Sequence, residues 1–190
     1  MIPSEISSVL TTFSEMAESL QKESDRGCVL VVGALLENVL EEHITARLIP
    51  KANKDDELMS RSNNSPINSF SAKINLAYRV GLIAANERKI YHQLRELRNV
   101  CAHQIEQQDF DKLHFRDRIK NIMRESDFVW ETLMKKVTPS LFPEGGPQSV
   151  EGFVDAIGWR RAFEVFFSMI IAHKKICILR VIPIAPLANP

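Results

Sequence analysis

Within Arg95-Glu-Leu-Arg-Asn-Val-Cys-Ala-His103 the chain places an arginine, a carboxamide and an imidazole inside six positions, Arg98, Asn99 and His103. These groups can bind an anion and exchange a proton near neutral pH. Leu94 and Leu97 just before them fit a helix. At 100° per residue, Arg98 falls beside the apolar line Leu94–Leu97–Cys101, and Asn99 and His103 share another face. Arg98 and His103 then stand about 140° apart on a straight helix. They meet on one ligand only if the helix ends near Ala102 or a second copy completes the site. The competing reading is an ordinary helix C-terminus, in which an amphipathic Arg98 packs and His103 meets the last carbonyls. On periodicity alone that second reading is the stronger.

Other chemistry is sparse. Gly145-Gly146 lies among prolines with no strand before it, so no phosphate-binding loop is expected. There is no HExxH, and the five histidines are scattered, so no metal or other cofactor is expected. His43, His92, His114 and His173 read as structural. Asp55-Asp56-Glu57 reads as a solvated acidic run. Glu37, Glu41 and Glu42 read as a solvent face, with Glu37, nearest the buried half of its helix, the one to follow. Cys28, Cys101 and Cys177 lie far apart in apolar stretches without CxxC spacing. Three core thiols in a reducing compartment, hence a cytoplasmic protein, is the simplest account.

The 190 residues carry 24 Lys plus Arg against 24 Asp plus Glu, a formal net charge of zero. Overall charge therefore gives no attraction to nucleic acid or to acidic membranes, and any such site must be a local basic patch. With 45 % hydrophobic residues there is enough material for a core. Met1–Phe13 has neither a basic start nor a long apolar run, so no secretory leader is expected. Phe166–Ala172, followed by His173-Lys174-Lys175, is too short to cross a bilayer.

The elements that must position these residues are helical throughout. Residues 4–22 form an amphipathic helix with Pro3 as its start signal. Ser24-Asp25 can cap a second helix, about 26–48, whose first half CVLVVGALL is apolar nearly all round and is expected to be the central buried helix. Gly33 within it costs stability unless a neighbouring helix comes close there. Pro50 ends it, and 51–68 reads as a long polar loop. A third helix is expected over 69–80 with Gly81 at its end. A fourth, capped by Asn86, carries Ile90, Leu94, Leu97 and Cys101 inward. Asp109 or Asp111 is expected to open a fifth helix running to about Val137. Pro139, Pro143 and Pro147 then break the chain. Ser149 caps a last long helix to about Leu179, with Gly152 and Gly158 as possible interruptions. The sum is an all-α antiparallel bundle of five to six helices in one domain, 1–180, with an apolar Pro-rich tail, 181–190, either an extended strap or disordered.

Arg98-Asn99-Val100-Cys101-Ala102-His103 resembles the Arg-Asn-x-x-x-His motif of the HEPN superfamily of small helical bundles. Many of these are metal-independent endoribonucleases, often toxins or phage-defence effectors. A wider resemblance, over Asp25–Ile44, FSAKINLAYRVGLI at 70–83, RELRNVCAH, and Trp159–Phe163, is to the mannitol repressor (MltR) family, taken as a branch of the same superfamily. The HEPN resemblance implies a HEPN-like bundle, a homodimer with a composite site, and RNA as substrate. In that reading His103 is the general base or acid, Arg98 holds the scissile phosphate, Asn99 orients the phosphate or the imidazole, and Arg95 extends the positive patch as an RNA-binding residue. One branch of these toxins carries a tyrosine two residues after the histidine, the target of a partner antitoxin. Ile105 stands there, which sets that form of control aside while leaving an antitoxin or regulatory partner open. The MltR resemblance implies transcriptional repression. Without a helix-turn-helix or basic stripe, direct DNA reading is not expected, and action through a protein partner is.

Overall fold

The computed structural model describes residues 3–51, 58–59, 65–103, 109–133, 135 and 138–187. The described residues form an all-α helical bundle: α1 Pro3–Gln21, α2 Asp25–Arg47, α3 Phe70–Arg79, α4 Ala85–His103, α5 Leu113–Arg124, α6 Asp127–Thr132, α7 Thr138–Leu141, α8 Val150–Ile157 and α9 Trp159–Leu179. None of these helices is long and apolar enough to cross a membrane.

Local sequence sets most of the boundaries. Ser24 Oγ accepts from Gly27 N at 3.0 Å, Ser69 Oγ from Ala72 N at 3.1 Å and Ser149 Oγ from Gly152 N at 3.1 Å, so three helices start on serine caps. The fourth start differs from expectation. α4 begins at Ala85, one residue before Asn86, and Glu87 reaches back to accept from Ala84 N at 2.9 Å, half of a capping box. After α3, Gly81 takes φ +74° while Gly81 N donates to Tyr78 O and Leu82 N to Ala77 O. These paired bonds close the last turn in the left-handed conformation that glycine adopts without strain.

Two expected helices are broken. The fifth does not open on an aspartate: Asp109 closes a turn by accepting from Asp111 N at 3.1 Å, and α5 starts at Leu113. It also stops at Arg124, far short of Val137, which lies outside the described residues. Ser126 is buried there and returns its hydroxyl to Ile122 O at 2.8 Å, competing with continued helix and starting the separate α6. The last helix divides at Gly158, whose φ of +79° ends α8 before α9 resumes.

α9 is the most enclosed element. Ala162 through Ala172 are all buried, including Phe163, Phe166 and Phe167, because α1, α2, α5, α6 and α8 surround this stretch. α2 was expected to hold that place. It is central, packing on α3, α4 and α9, but it buries one face (Val29, Val32, Leu36, Leu40) and leaves Ala34 exposed. Contacts between residues give the directions. Asp25 meets Arg160 and Glu42 meets Lys175, so α2 and α9 run the same way. Arg26 meets Ala102 and Glu87 meets Lys174, so α4 runs against both.

Beyond α9 the described residues 181–187 are in neither helix nor strand. Ile184 N donates to Arg47 O at 2.8 Å, tying this segment to the end of α2.

Arg160 joins four segments. Its guanidinium donates to Asp25 Oδ1 at 2.8 Å, Glu164 Oε1 at 2.6 Å, Leu20 O at 2.7 Å and Glu23 O at 2.9 Å, and lies over the Phe110 ring at 5.6 Å. Arg160→Ala removes the ion pairs to Asp25 and to the buried Glu164, which keeps only Arg161 at 3.0 Å, and the contacts to two carbonyls, and should cost about 2–4 kcal/mol in urea unfolding. Arg160→Lys should recover less than half of that, since an ammonium lacks the planar fork; full recovery by lysine would show that charge alone matters.

His43, 3 % exposed, has a buried Nδ1 with no hydrogen-bond partner among the described residues. Burial first, then the Lys174 charge, pushes its pKa down to about 4. In the unfolded chain it returns to near 6.5, so between about pH 4 and 6.5 the unfolded state binds more protons. Stability present above pH 6.5 should therefore fall as pH drops toward 4, with His43 contributing on the order of 2–3 kcal/mol. His92 and His173, also shifted down, act in the same sense. His43→Leu should flatten part of that fall; an unchanged stability–pH curve in this variant contradicts the account.

Candidate functional site

The apolar line read from sequence is the buried edge of α4: Leu94, Leu97 and Cys101 are all at 0 % exposure. Arg98 sits beside it, half-buried, with its stem crossing α2 at Gly33. A Cβ added to Gly33 would lie 2.7 Å from Arg98 Cδ and 3.1 Å from its Cγ. The close approach that would justify this glycine is therefore made by the motif arginine. Arg98 Nη1 then faces Glu37 Oε2 at 3.8 Å, an ion pair without a tight hydrogen bond.

Glu37 belongs to a wider network. Its Oε1 accepts from Lys73 Nζ at 3.0 Å, and Lys73 also meets Glu41 Oε2 at 2.8 Å. Burial acts to lower the Lys73 pKa, but the hydrogen bonds to Glu41 and Glu37 outweigh it, and the lysine stays above its ordinary value. Glu37, expected as part of a solvent face, is instead only 17 % exposed at its side chain, between two cations. Ala34, Asn38, Met59 and Asn68 complete a cavity of about 210 Å³ beside it.

His103 is exposed and is the last residue of α4. The helix is continuous from Arg98 to His103, so the two side chains stay about 140° apart and about 7.5 Å along the axis. One chain does not bring them together. Asn99 is half-buried on the His103 side of the helix. Arg95 is 29 % exposed at its side chain; its nearest anion is Glu96 at 3.9 Å, and its Nε is buried with no partner among the described residues.

Arg26 escaped the sequence reading. From the first turn of α2 its Nη2 donates to Ala102 O at 3.1 Å, so an arginine from another helix, and not His103, satisfies that carbonyl at the end of α4. Only the antiparallel pairing of α2 and α4 brings it there, and no local pattern marks it. Arg26 thus stands at the end of α4, on the residue before His103, while Arg98 lies a turn earlier against Gly33 and Glu37. Cys101 is pushed up to about 11 by burial, with Arg26 opposing, and so is held as an unreactive thiol. Among the described residues no three His, Cys, Asp or Glu side chains group as metal ligands. Asp55-Asp56-Glu57 and Ile105 lie outside the described residues.

No protein-family model matches this chain, and no curated protein or solved structure is significantly similar to it. The residues themselves therefore carry any functional reading.

Gly33 and Arg98 should be energetically coupled. Gly33→Ala gains about 1 kcal/mol of helix propensity but forces the Arg98 stem aside at a cost of about 1–3 kcal/mol. Alone it should be neutral or destabilising. In an Arg98→Ala background it should stabilise by up to about 1 kcal/mol. Additive effects in chemical denaturation would mean that the arginine does not depend on this glycine.

Proposed function

We propose that the chain is a metal-independent endoribonuclease of HEPN type, acting as a homodimer in which the α4 ends of two copies form composite sites. The observation that supports this best is the placement of the motif on one unbroken helix. Arg98 is seated by Gly33 beside a weak ion pair, while His103 is exposed at the helix end, next in sequence to the Ala102 carbonyl that Arg26 holds. One helix holds the pair too far apart for one phosphate, and in this reading a second copy supplies the missing partner.

In this mechanism His103 takes the proton of a ribose 2′-OH. The 2′ oxygen bonds to the adjacent phosphorus as the bond from phosphorus to the 5′ oxygen breaks. That oxygen leaves with a proton from water, giving a 2′,3′-cyclic phosphate and a 5′-OH end. Arg98 exchanges its long contact with Glu37 for the phosphate oxygens and stabilises the charge that develops on them. Asn99 orients the phosphate or the ring, and Arg95 extends the track for RNA. The setting is that of a toxin or defence effector, with an antitoxin or other regulatory protein as partner.

A second reading, a non-enzymatic MltR-like regulator working through protein contacts, draws on a different observation. Leu179, Ile182 and Leu187 at the end of α9 and in the segment beyond it are 72 %, 77 % and 98 % exposed, an apolar edge suited to a protein partner.

The test is cleavage of structured and single-stranded RNA by purified protein in EDTA. His103→Ala should lower the rate about 10²–10⁴-fold and Arg98→Ala about 10²–10³-fold. Mixing the two inactive variants should restore about a quarter of wild-type activity, because half the dimers are mixed and each regains one of two sites. A wild type inactive on these RNAs, or variants that cleave equally well, rejects the nuclease. Co-purification of a defined protein that is indifferent to His103→Ala and lost without 181–190 would then favour the regulator.

A further inference from the structure

A cavity of about 250 Å³ opens on the far side of the bundle from the motif, between the first turns of α4, α6 and the last turns of α9. Ala84, Ile90, Val129 and Ile170 give it a mainly apolar wall. Its polar lining is Asn86, Glu87, Tyr91, Ser126, His173 and Lys174. Such a wall with a few placed polar groups is the ordinary composition of a small-molecule site.

The polar groups are unequally satisfied. Glu87 is engaged on both oxygens: Oε2 accepts from Ala84 N at 2.9 Å, and Oε1 faces both Tyr91 Oη at 3.3 Å and Lys174 Nζ at 2.5 Å. Ser126 Oγ already donates to Ile122 O. Lys174 differs. It is 3 % exposed, and its one ion pair among the described residues is to Glu87. An ammonium has three N–H donors, so buried donor capacity remains beside the cavity, which is costly unless something accepts it. The charge is already balanced by Glu87. His43 is pushed down to about 4 and His173 is lowered, in both cases by burial first and then by Lys174, so both rings are neutral at pH 7. An anion would meet the Glu87 carboxylate with no spare positive charge. A cavity of about 150 Å³ holds benzene, so this one has room for a bicyclic molecule of about ten non-hydrogen atoms.

We propose that this cavity is a binding site for a small uncharged, largely apolar molecule of bicyclic size, with one hydrogen-bond acceptor placed on the Lys174 ammonium and its rings between Ile90, Val129 and Ile170. The site is independent of the nuclease reading, since it shares no residue with the α4 terminus.

The experiment is ligand-observed NMR on the full chain with three probes of one skeleton: 1-indanone, indane and indane-1-carboxylate. 1-Indanone should bind with a Kd on the order of a millimolar or tighter. Indane should bind about fivefold or more weakly, and the carboxylate no better than indane. Val129→Trp fills the cavity from α6 and should abolish binding. The double variant Glu87→Gln/Lys174→Met removes both charges together, so that neither is left buried alone. It should bring 1-indanone down to the level of indane. Indanone binding no tighter than indane, a carboxylate that binds best, or binding unaffected by Val129→Trp overturns the proposal. The wild-type comparison of the three probes decides it without relying on either variant.

Discussion

The bundle is organised around one guanidinium. Arg160, at the start of the most enclosed helix, accepts no bond and makes five contacts, to the end of α1, the first turn of α2, its own helix and the Phe110 ring. Leu20 O, at the end of α1, has only the turn bond from Glu23 N besides among the described residues, and Glu23 O lies in the link between α1 and α2. Asp25 sits at the positive end of α2, where a carboxylate is already favoured. One planar donor fork answers all of these at once, which a lysine or a polar amide could not. It locks the entry of α2 against the entry of α9, so the two core helices run side by side in one direction and α4 must cross back against them.

That register decides what the motif on α4 can do. Running against α2, α4 brings Arg98 onto Gly33 and its own end onto Arg26. The missing side chain at Gly33 is the physical reason that a long cation can lie between two packed helices and still show a third of its surface. The partner it meets there, Glu37, is shared with Lys73, so the arginine is held in direction without being consumed by a strong pair. The same rigid helix keeps His103 on a different side. An α-helix does not flex to bring positions five apart onto one ligand.

Polar groups far from the motif follow a different logic. Glu87 begins as a local capping residue, readable four positions before Tyr91, and ends as the counter-ion of Lys174 from a helix almost ninety residues later. Sequence spacing points to the first role and is silent on the second. Ser126 likewise looks like any polar residue in an amphipathic stretch, yet its burial turns its hydroxyl back onto the preceding turn and splits an expected long helix into α5 and α6. Helix periodicity reports how often apolar residues recur; it does not report a buried hydroxyl competing for a carbonyl.

Local chemistry, legible in the sequence alone, determined the helical class, the serine caps at 24 and 149, the left-handed turn at Gly81, the apolar line of α4 and the sequence grouping of Arg98, Asn99 and His103. Each depends on side chains within a few positions of one another, where backbone geometry makes spacing equivalent to direction. Tertiary structure alone decided that α9 and not α2 lies deepest, that Glu37 stands between Arg98 and Lys73, that Arg26 reaches the end of α4, and that Lys174 meets Glu87. The residue pairings among these join positions from 36 to 87 apart. Their energies come from burial and from matching charges across helices, and neither quantity exists until the chain has closed on itself.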